Sequence, residues 1–206
     1  LDECRRMEIE ISPPNINRSE RKFSVQDSRV WYGLGAVKGL GEKIVESFVA
    51  EQQKNGAYDS IFDFCERIRG LTKSTVEILA SCGAFDCLGT SRAKLASVID
   101  TAISLGNQSR KDKERGQLDL FSSPGFSPAS EGGGVELSYP DVEDWTDAER
   151  LSREKQTLGF YLSGHPLEQW QGLIDKYATH KLSDVERLDN GKPVTIAVQV
   201  SKLTKK

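Results

Sequence analysis

Tyr32-Gly-Leu-Gly-Ala-Val-Lys-Gly-Leu-Gly41 decides how this chain is read. Four glycines in ten residues rule out a regular helix or strand and mark a set of tight turns, because glycine alone adopts left-handed backbone freely. The residues on either side confirm the punctuation. Downstream, Ile44, Val45, Phe48 and Val49 repeat at helical spacing, which predicts a helix from Glu42 to about Lys54. Asn55-Gly56 ends it, with glycine suited to the position just past a helix. Upstream, Phe23 and Val25, then Val30 and Tyr32, alternate around Asp27-Ser28, the pattern of a short β-hairpin. Further back, residues 2–11 read as the tail of an amphipathic helix stopped by Pro13-Pro14.

Beyond Gly56 the chain continues as short helices. Ser60-Ile-Phe-Asp63 has the form of a capping box before Phe62, Phe64, Cys65 and Ile68. A helix from about Lys73 to Cys82 points Val76, Leu79 and Ala80 inward and ends before Gly83. Ser91 caps another, which carries Leu95, Val98, Ile99, Ala102 and Ile103 and is closed by Gly106. Residues 106–140 then turn to Ser, Gly, Pro, Gln and charge and read as a mobile linker, interrupted by Gln117-Leu-Asp-Leu-Phe121. Thr146-Asp-Ala-Glu149 is a second capping box, before a helix with Leu151 and Leu158. Pro166 opens one with Leu167, Trp170, Leu173, Ile174 and Tyr177. After the turn Asp189-Asn-Gly-Lys192, the residues Val194, Ile196, Val198 and Val200 alternate as a strand without visible partners.

Composition narrows the function. The 206 residues carry 28 Lys+Arg and 31 Asp+Glu, a net charge of −3, which argues against whole-surface DNA coating. Charge is uneven: Arg110, Lys111, Lys113 and Arg115 cluster, whereas 122–149 is acidic with no Lys or Arg. The mean hydropathy is −0.48 and no apolar run approaches the ~20 residues of a spanning helix. Leu1 opens the chain and the single Met is at position 7, so it reads as a piece of a longer protein. Cys82 and Cys87 have four residues between them, a spacing open to zinc, but no second pair lies near. Half-buried thiols in a reducing cytoplasm fit all four cysteines better.

Three segments carry candidate chemistry. Gly39-Leu40-Gly41 has the pattern of a helix-hairpin-helix turn, with Gly35 before it. The helix that follows begins with free N–H groups and a positive dipole end, suited to a phosphate oxygen. Lys38 and Lys43 add charge and Glu42 opposes it. The alternative is a tight turn between packed helices with no ligand. A dinucleotide-binding loop is excluded, since the glycine spacing is wrong and no βαβ unit surrounds it. A weaker second hairpin centres on Gly83, Ala84 and Phe85, with Arg92 at the next helix start. Two such units would grip successive phosphates of one duplex without reading sequence. Third, Gln117, Leu118, Asp119, Leu120 and Phe121 place three apolar side chains in a polar linker, costly unless a partner or the chain itself buries them. That pentapeptide resembles the one by which polymerases and repair proteins attach to the bacterial sliding clamp. No catalytic constellation is visible. His165, in Gly-His-Pro, reads as a turn residue, and Trp31-Tyr32 reads as hairpin packing or a base-stacking platform.

Taken in order, these segments resemble the C-family replicative DNA polymerases of bacteria. The resemblance is carried by Glu3-Cys-Arg-Arg-Met7, Pro13-Pro-Asn-Ile-Asn17, Tyr32 to Gly41, Gly83-Ala-Phe-Asp86, Arg92-Ala93, Gln117 to Phe121 and Leu158-Gly-Phe-Tyr-Leu-Ser-Gly-His-Pro-Leu167. It implies a mainly α fold: a tandem helix-hairpin-helix domain with a small N-terminal β-hairpin and a C-terminal strand opening a truncated OB fold. It divides the chain into the end of a fingers domain (1–31), a DNA-binding region (32–105), a linker with the clamp peptide (106–145), a helical connector (146–182) and the start of the OB domain (183–206). The implied partners are double-stranded DNA, the sliding clamp and other replicase subunits. No cofactor belongs to this stretch, because the palm that uses Mg2+ lies elsewhere in the family. The implied role is a non-catalytic processivity module of a DNA-directed DNA polymerase. A DNA-repair enzyme fragment would also use such hairpins but would carry a carboxylate cluster for metal. A pure protein-interaction scaffold would ignore DNA.

Overall fold

The computed structural model describes residues 4, 6–114, 138–200 and 204. The clamp-like peptide Gln117–Phe121 lies outside the described residues. The chain divides into two units, Leu1–Phe160 and Tyr161–Lys206.

The first unit opens on a small sheet. β2 (Ser24–Gln26) and β3 (Arg29–Trp31) form the expected antiparallel hairpin. Asp27 and Ser28 both have positive φ, 53° and 61°, the turn whose twist matches that of its strands. Residues 2–11 differ from the helix expected there. Cys4 and Arg6 are helical, but Glu8 turns left-handed and the Ile9 amide donates back to the Cys4 carbonyl, closing the helix early. Ile11–Ser12 then becomes β1, parallel to β3, giving the order β1-β3-β2. A two-residue strand has no periodicity to read. It exists because β3 offers a free edge, from which the Val30 amide donates to the Glu10 carbonyl and, just beyond, the Tyr32 amide to the Ser12 carbonyl.

Five helices follow. α1 (Glu42–Asn55) and α2 (Ile61–Arg67) match the expected positions. Ser60 accepts from the Asp63 amide, but the Asp63 carboxylate accepts from Asp59 rather than Ser60, so the box is half formed. α3 (Lys73–Ser81) buries Val76, Leu79 and Ala80 as read. The helix capped by Ser91 is in fact two: α4 (Arg92–Ser97) breaks at Val98, and α5 runs Ile99–Glu114.

Gly106 therefore does not close that helix, and residues 107–114 are not linker. A Cβ on Gly106 would collide with the Cys65 carbonyl oxygen, so glycine is there to let α5 pass flush against α2. One turn on, Arg110 donates to the carbonyls of Cys65, Glu66 and Ile68, supplying partners for the C-terminal end of α2. The linker pattern misled because Gly, Asn and Ser are weak helix formers by themselves. Packing against α2 overrides that preference.

The core centres on Phe64 of α2. Its ring meets Phe48 of α1, Tyr58 and Phe85 at centroid distances of 5.0, 5.1 and 5.2 Å, each edge-on. The segment before β2 is stitched to this core by Asn17. Its side chain accepts from the Tyr58 amide and donates to the Tyr58 carbonyl.

α6 (Asp147–Leu158) begins with a complete capping box at Thr146 and Glu149 and buries Leu151, Glu154 and Leu158. In the second unit, His165 opens the turn as expected, its Nδ1 accepting from the Leu167 amide. The helix after Pro166 starts as a 3-10 turn, Glu168–Trp170, and becomes α7 only at Gln171–Tyr177. Trp170, Leu173 and Tyr177 are exposed. Residues 194–200 join no sheet among the described residues. They are tied to the chain before them at Thr195, whose carbonyl accepts from the Thr179 amide and whose amide donates to the Thr179 hydroxyl, and at Gln199, whose Oε1 accepts from the Tyr161 hydroxyl. Alternation alone cannot make a strand without a neighbouring edge.

On an exposed helix, Gly106→Ala would add up to about 1 kcal/mol of stability. Here it is expected to remove about 2–3 kcal/mol through overpacking. Urea unfolding followed by circular dichroism reads the sign.

Candidate nucleic-acid interface

The glycine-rich stretch splits into two parts with different jobs. Gly33 and Gly35 face the chain before the hairpin. A Cβ at Gly33 would lie 2.7 Å from the Phe23 nitrogen, and one at Gly35 2.8 Å from the Arg21 carbonyl oxygen. The Leu34 and Gly35 amides donate to the Glu20 and Arg21 carbonyls. Gly35, expected at a phosphate, is thus a site of backbone contact within the protein.

Gly35 keeps one side exposed, and Gly39 to Gly41 is the turn that opens to solvent before α1. Gly39 has φ of 86°, and its position against the Ile78 side chain leaves no room for a Cβ. Leu40 is half-buried, its amide donating to Val37. Gly41 is extended and N-caps α1 without a side chain, so no side chain caps the first-turn N–H groups. Lys38 and Lys43 are both exposed beside this end. The arrangement is a bare helix N-terminus on a tight turn between two lysines, a geometry that accepts an anion.

Glu42 does not stand alone against that charge. Arg21 reaches Glu42 at 3.5 Å and Glu46 at 3.6 Å. Nothing in the local sequence marks Arg21, which is brought here by the backbone pairing of 20–21 with 34–35.

The second hairpin faces the other way. Gly83, Ala84 and Phe85 are buried, and Phe85 belongs to the aromatic core. Gly83 has φ of 81° and is pressed against the end of the Arg92 side chain. Arg92 is itself buried and grips Asp86 with two bonds, Nε to Oδ1 at 2.9 Å and Nη2 to Oδ2 at 2.6 Å, while Nη1 donates to the Ser81 carbonyl. Burial alone would pull the Arg92 pKa down, but the Asp86 hydrogen bond and charge, with Glu154 beyond, leave it raised. Ala84 also accepts the Ile16 amide. This turn is held by the fold and turned away from solvent, so its four expected phosphate contacts are placed in the interior. In sequence the two hairpins look alike. What separates them is that Phe85 is large enough to fill the core beside Phe64.

Burial pushes the Cys82 thiol up to about 12, and its sulfur donates to the Leu79 carbonyl. Cys65 is likewise pushed up to about 12 by burial. Among the described residues no group of three His, Cys, Asp or Glu could hold a metal ion, and no helix is long and apolar enough to cross a membrane.

Comparison with known proteins fits this geometry. Residues 8–95 match the helix-hairpin-helix motif family, a span that contains both turns. The chain is 34% identical over 200 residues to the DNA polymerase III subunit alpha of Vibrio cholerae and 35% identical over 201 residues to that of Escherichia coli K12. In both cases 96% of this chain is covered. The Pseudomonas aeruginosa protein of the same name is 33% identical over 204 residues. The chain spans 17% of the length of these relatives. The resemblance read from the motifs therefore holds from end to end, on a mainly helical fold with a small three-stranded sheet.

Arg92→Ala is expected to cost about 3 kcal/mol in urea unfolding, because it strands Asp86 and opens the turn. The slope of duplex-DNA affinity against salt should not move. A slope that falls by about 0.9 would instead place Arg92 on a phosphate.

Proposed function

We propose, from its likeness to a stretch of the DNA polymerase III alpha subunit, that this chain is a non-catalytic processivity module of a bacterial replicative polymerase. The whole protein would be a DNA-directed DNA polymerase working in the cytoplasm with other replicase subunits. The chain would hold the duplex product by its backbone and carry an attachment peptide for the sliding clamp. Residues 1–31 would end the fingers domain, 146–182 would complete the clamp-binding domain and 183–206 would begin the OB domain.

The observation that carries the DNA reading is the exposed turn Gly39–Gly41 at the bare N-terminus of α1, between Lys38 and Lys43. Only this hairpin enters the proposal as a phosphate contact. Backbone N–H groups and lysines bind phosphate without distinguishing bases, so affinity should be indifferent to sequence. The clamp reading rests on Gln117, Leu118, Asp119, Leu120 and Phe121 as sequence, with Leu120 and Phe121 as the apolar anchors. Each link can be weak. Joining them makes the second event intramolecular, with a gain in avidity on the order of 10²–10⁴.

Titrating a fluorescent duplex with the chain tests the first part. Affinity should fall steeply with salt and be equal for unrelated sequences. Lys43→Met should lower the salt slope by about 0.9. A salt-independent affinity, or a strong preference for one sequence, contradicts the hairpin reading.

Calorimetry with a bacterial sliding clamp tests the second. The chain should bind, and the double variant Leu120→Ala with Phe121→Ala should not, since about 1.5–3 kcal/mol of apolar burial is lost at each position. Equal binding by both would move the attachment site elsewhere.

A further inference from the structure

The hairpin that faces solvent is not built by residues 8–95 alone. Its lysine rests on a helix far downstream. The Lys38 amide donates to the Thr157 carbonyl at 2.8 Å, satisfying one of the orphan acceptors at the C-terminal end of α6. The Lys38 side chain then runs over Gly159, the residue that ends α6 with φ of 92°. A Cβ there would lie 3.0 Å from Nζ and 3.3 Å from Cε. The ammonium is thus laid across the negative end of the α6 dipole, where a cation is favoured. Phe160 completes the dock by packing on Tyr32, the first residue of the glycine-rich stretch, at 5.8 Å between ring centroids.

α6 is fixed in turn by the second hairpin. Glu154, one turn before Thr157, is fully buried, and its charge acts on Arg92 beside Gly83 and Asp86. Leu151 and Leu158 are buried on the same helix. The inward-facing turn therefore anchors the helix whose end carries the lysine of the outward-facing turn.

We infer that Gly159 and the C-terminal end of α6 are positioning elements for DNA binding: they hold Lys38 beside the N-terminus of α1 so that its ammonium is in place before a phosphate arrives. This inference rests on the DNA reading proposed above. Gly159 matters because its missing side chain leaves Lys38 a flat surface to lie on. The obstacle to an added Cβ is the far end of a flexible side chain, so the lysine is displaced, and the φ of 92° adds backbone strain that asparagine bears better than alanine.

A double-mutant cycle on the whole chain separates this role from a merely structural one. Duplex affinity and its salt slope are measured for the parent, Gly159→Ala, Lys38→Met and the double variant. One phosphate contact is worth about a 3.5-fold change in affinity across a fourfold rise in salt. Gly159→Ala should weaken duplex binding by about that factor and lower the slope by about 0.9. In the Lys38→Met background it should do nothing further. Gly159→Asn, whose residue tolerates left-handed backbone, should reproduce the alanine result if alanine proves poorly folded by circular dichroism. Equal losses in both backgrounds, or an unchanged slope in the Gly159 variants when Lys38→Met lowers it, would overturn the inference. Failure of the parent chain to bind duplex would overturn the DNA reading itself, and the inference with it.

Discussion

Phe64 touches three other rings, and most of the first unit is arranged so that it can. Phe48 brings α1 to it, Tyr58 brings the loop between α1 and α2, and Phe85 brings the turn after α3. Edge-on pairs of this kind are worth about 0.5–1.5 kcal/mol each beyond the area they bury. Their larger effect is on geometry. With Phe85 committed to the core, the turn that carries it must face inward, and Gly83, Ala84 and Arg92 follow it. Gly39–Gly41 has no such ring. Leu40 is only half-buried, so the turn lies at the surface and the start of α1 opens to solvent. One aromatic residue thus separates two glycine turns of similar sequence into one held in the core and one open to solvent.

Around that core, polar groups fasten elements that apolar packing leaves loose. Arg67 donates to the carbonyls of Glu51, Ala57 and Gly56, pairs with Asp63 and lies 4.4 Å over the Tyr58 ring. Arg110 does the same for the end of α2, and Arg92 for the second turn. In each case a guanidinium supplies donors to acceptors at a helix end or a turn, which a lysine could not do in the same fixed fork. Arg92, expected at a phosphate, is in this place structural. The cations left at the exposed hairpin are lysines, with Arg21 offsetting Glu42 and Glu46.

The composite origin of the proposed interface would tie stability to function. The turn 39–41, the segment 20–23 beneath Gly33 and Gly35, and the end of α6 come from three separate regions of the chain. Charge at the site is a sum over all three: the α1 dipole and two lysines on one side, two glutamates screened by an arginine on the other. The proposed phosphate site, assembled in this way, would be modest in strength, which would suit a contact that holds a duplex and still lets it slide.

The sequence by itself determined where α1, α2, α3 and α6 lie, where the β-hairpin turns and which ends are capped. Those features depend on neighbours within a few residues: Thr146 with Glu149, Ser91 with Lys94, Asp27 with Ser28. The tertiary structure alone decided which glycine turn meets solvent, that Gly106 lies within a helix, that Arg92 points inward and that Ile11–Ser12 joins the sheet. Each of those rests on an interaction between residues distant in the chain: Phe85 with Phe64, Gly106 with Cys65, Arg92 with Glu154, Glu10 with Val30. Periodicity and capping encode short-range geometry. They carry no record of which surfaces will approach closely enough to exclude a side chain, and that exclusion fixed the direction in which the functional residues point.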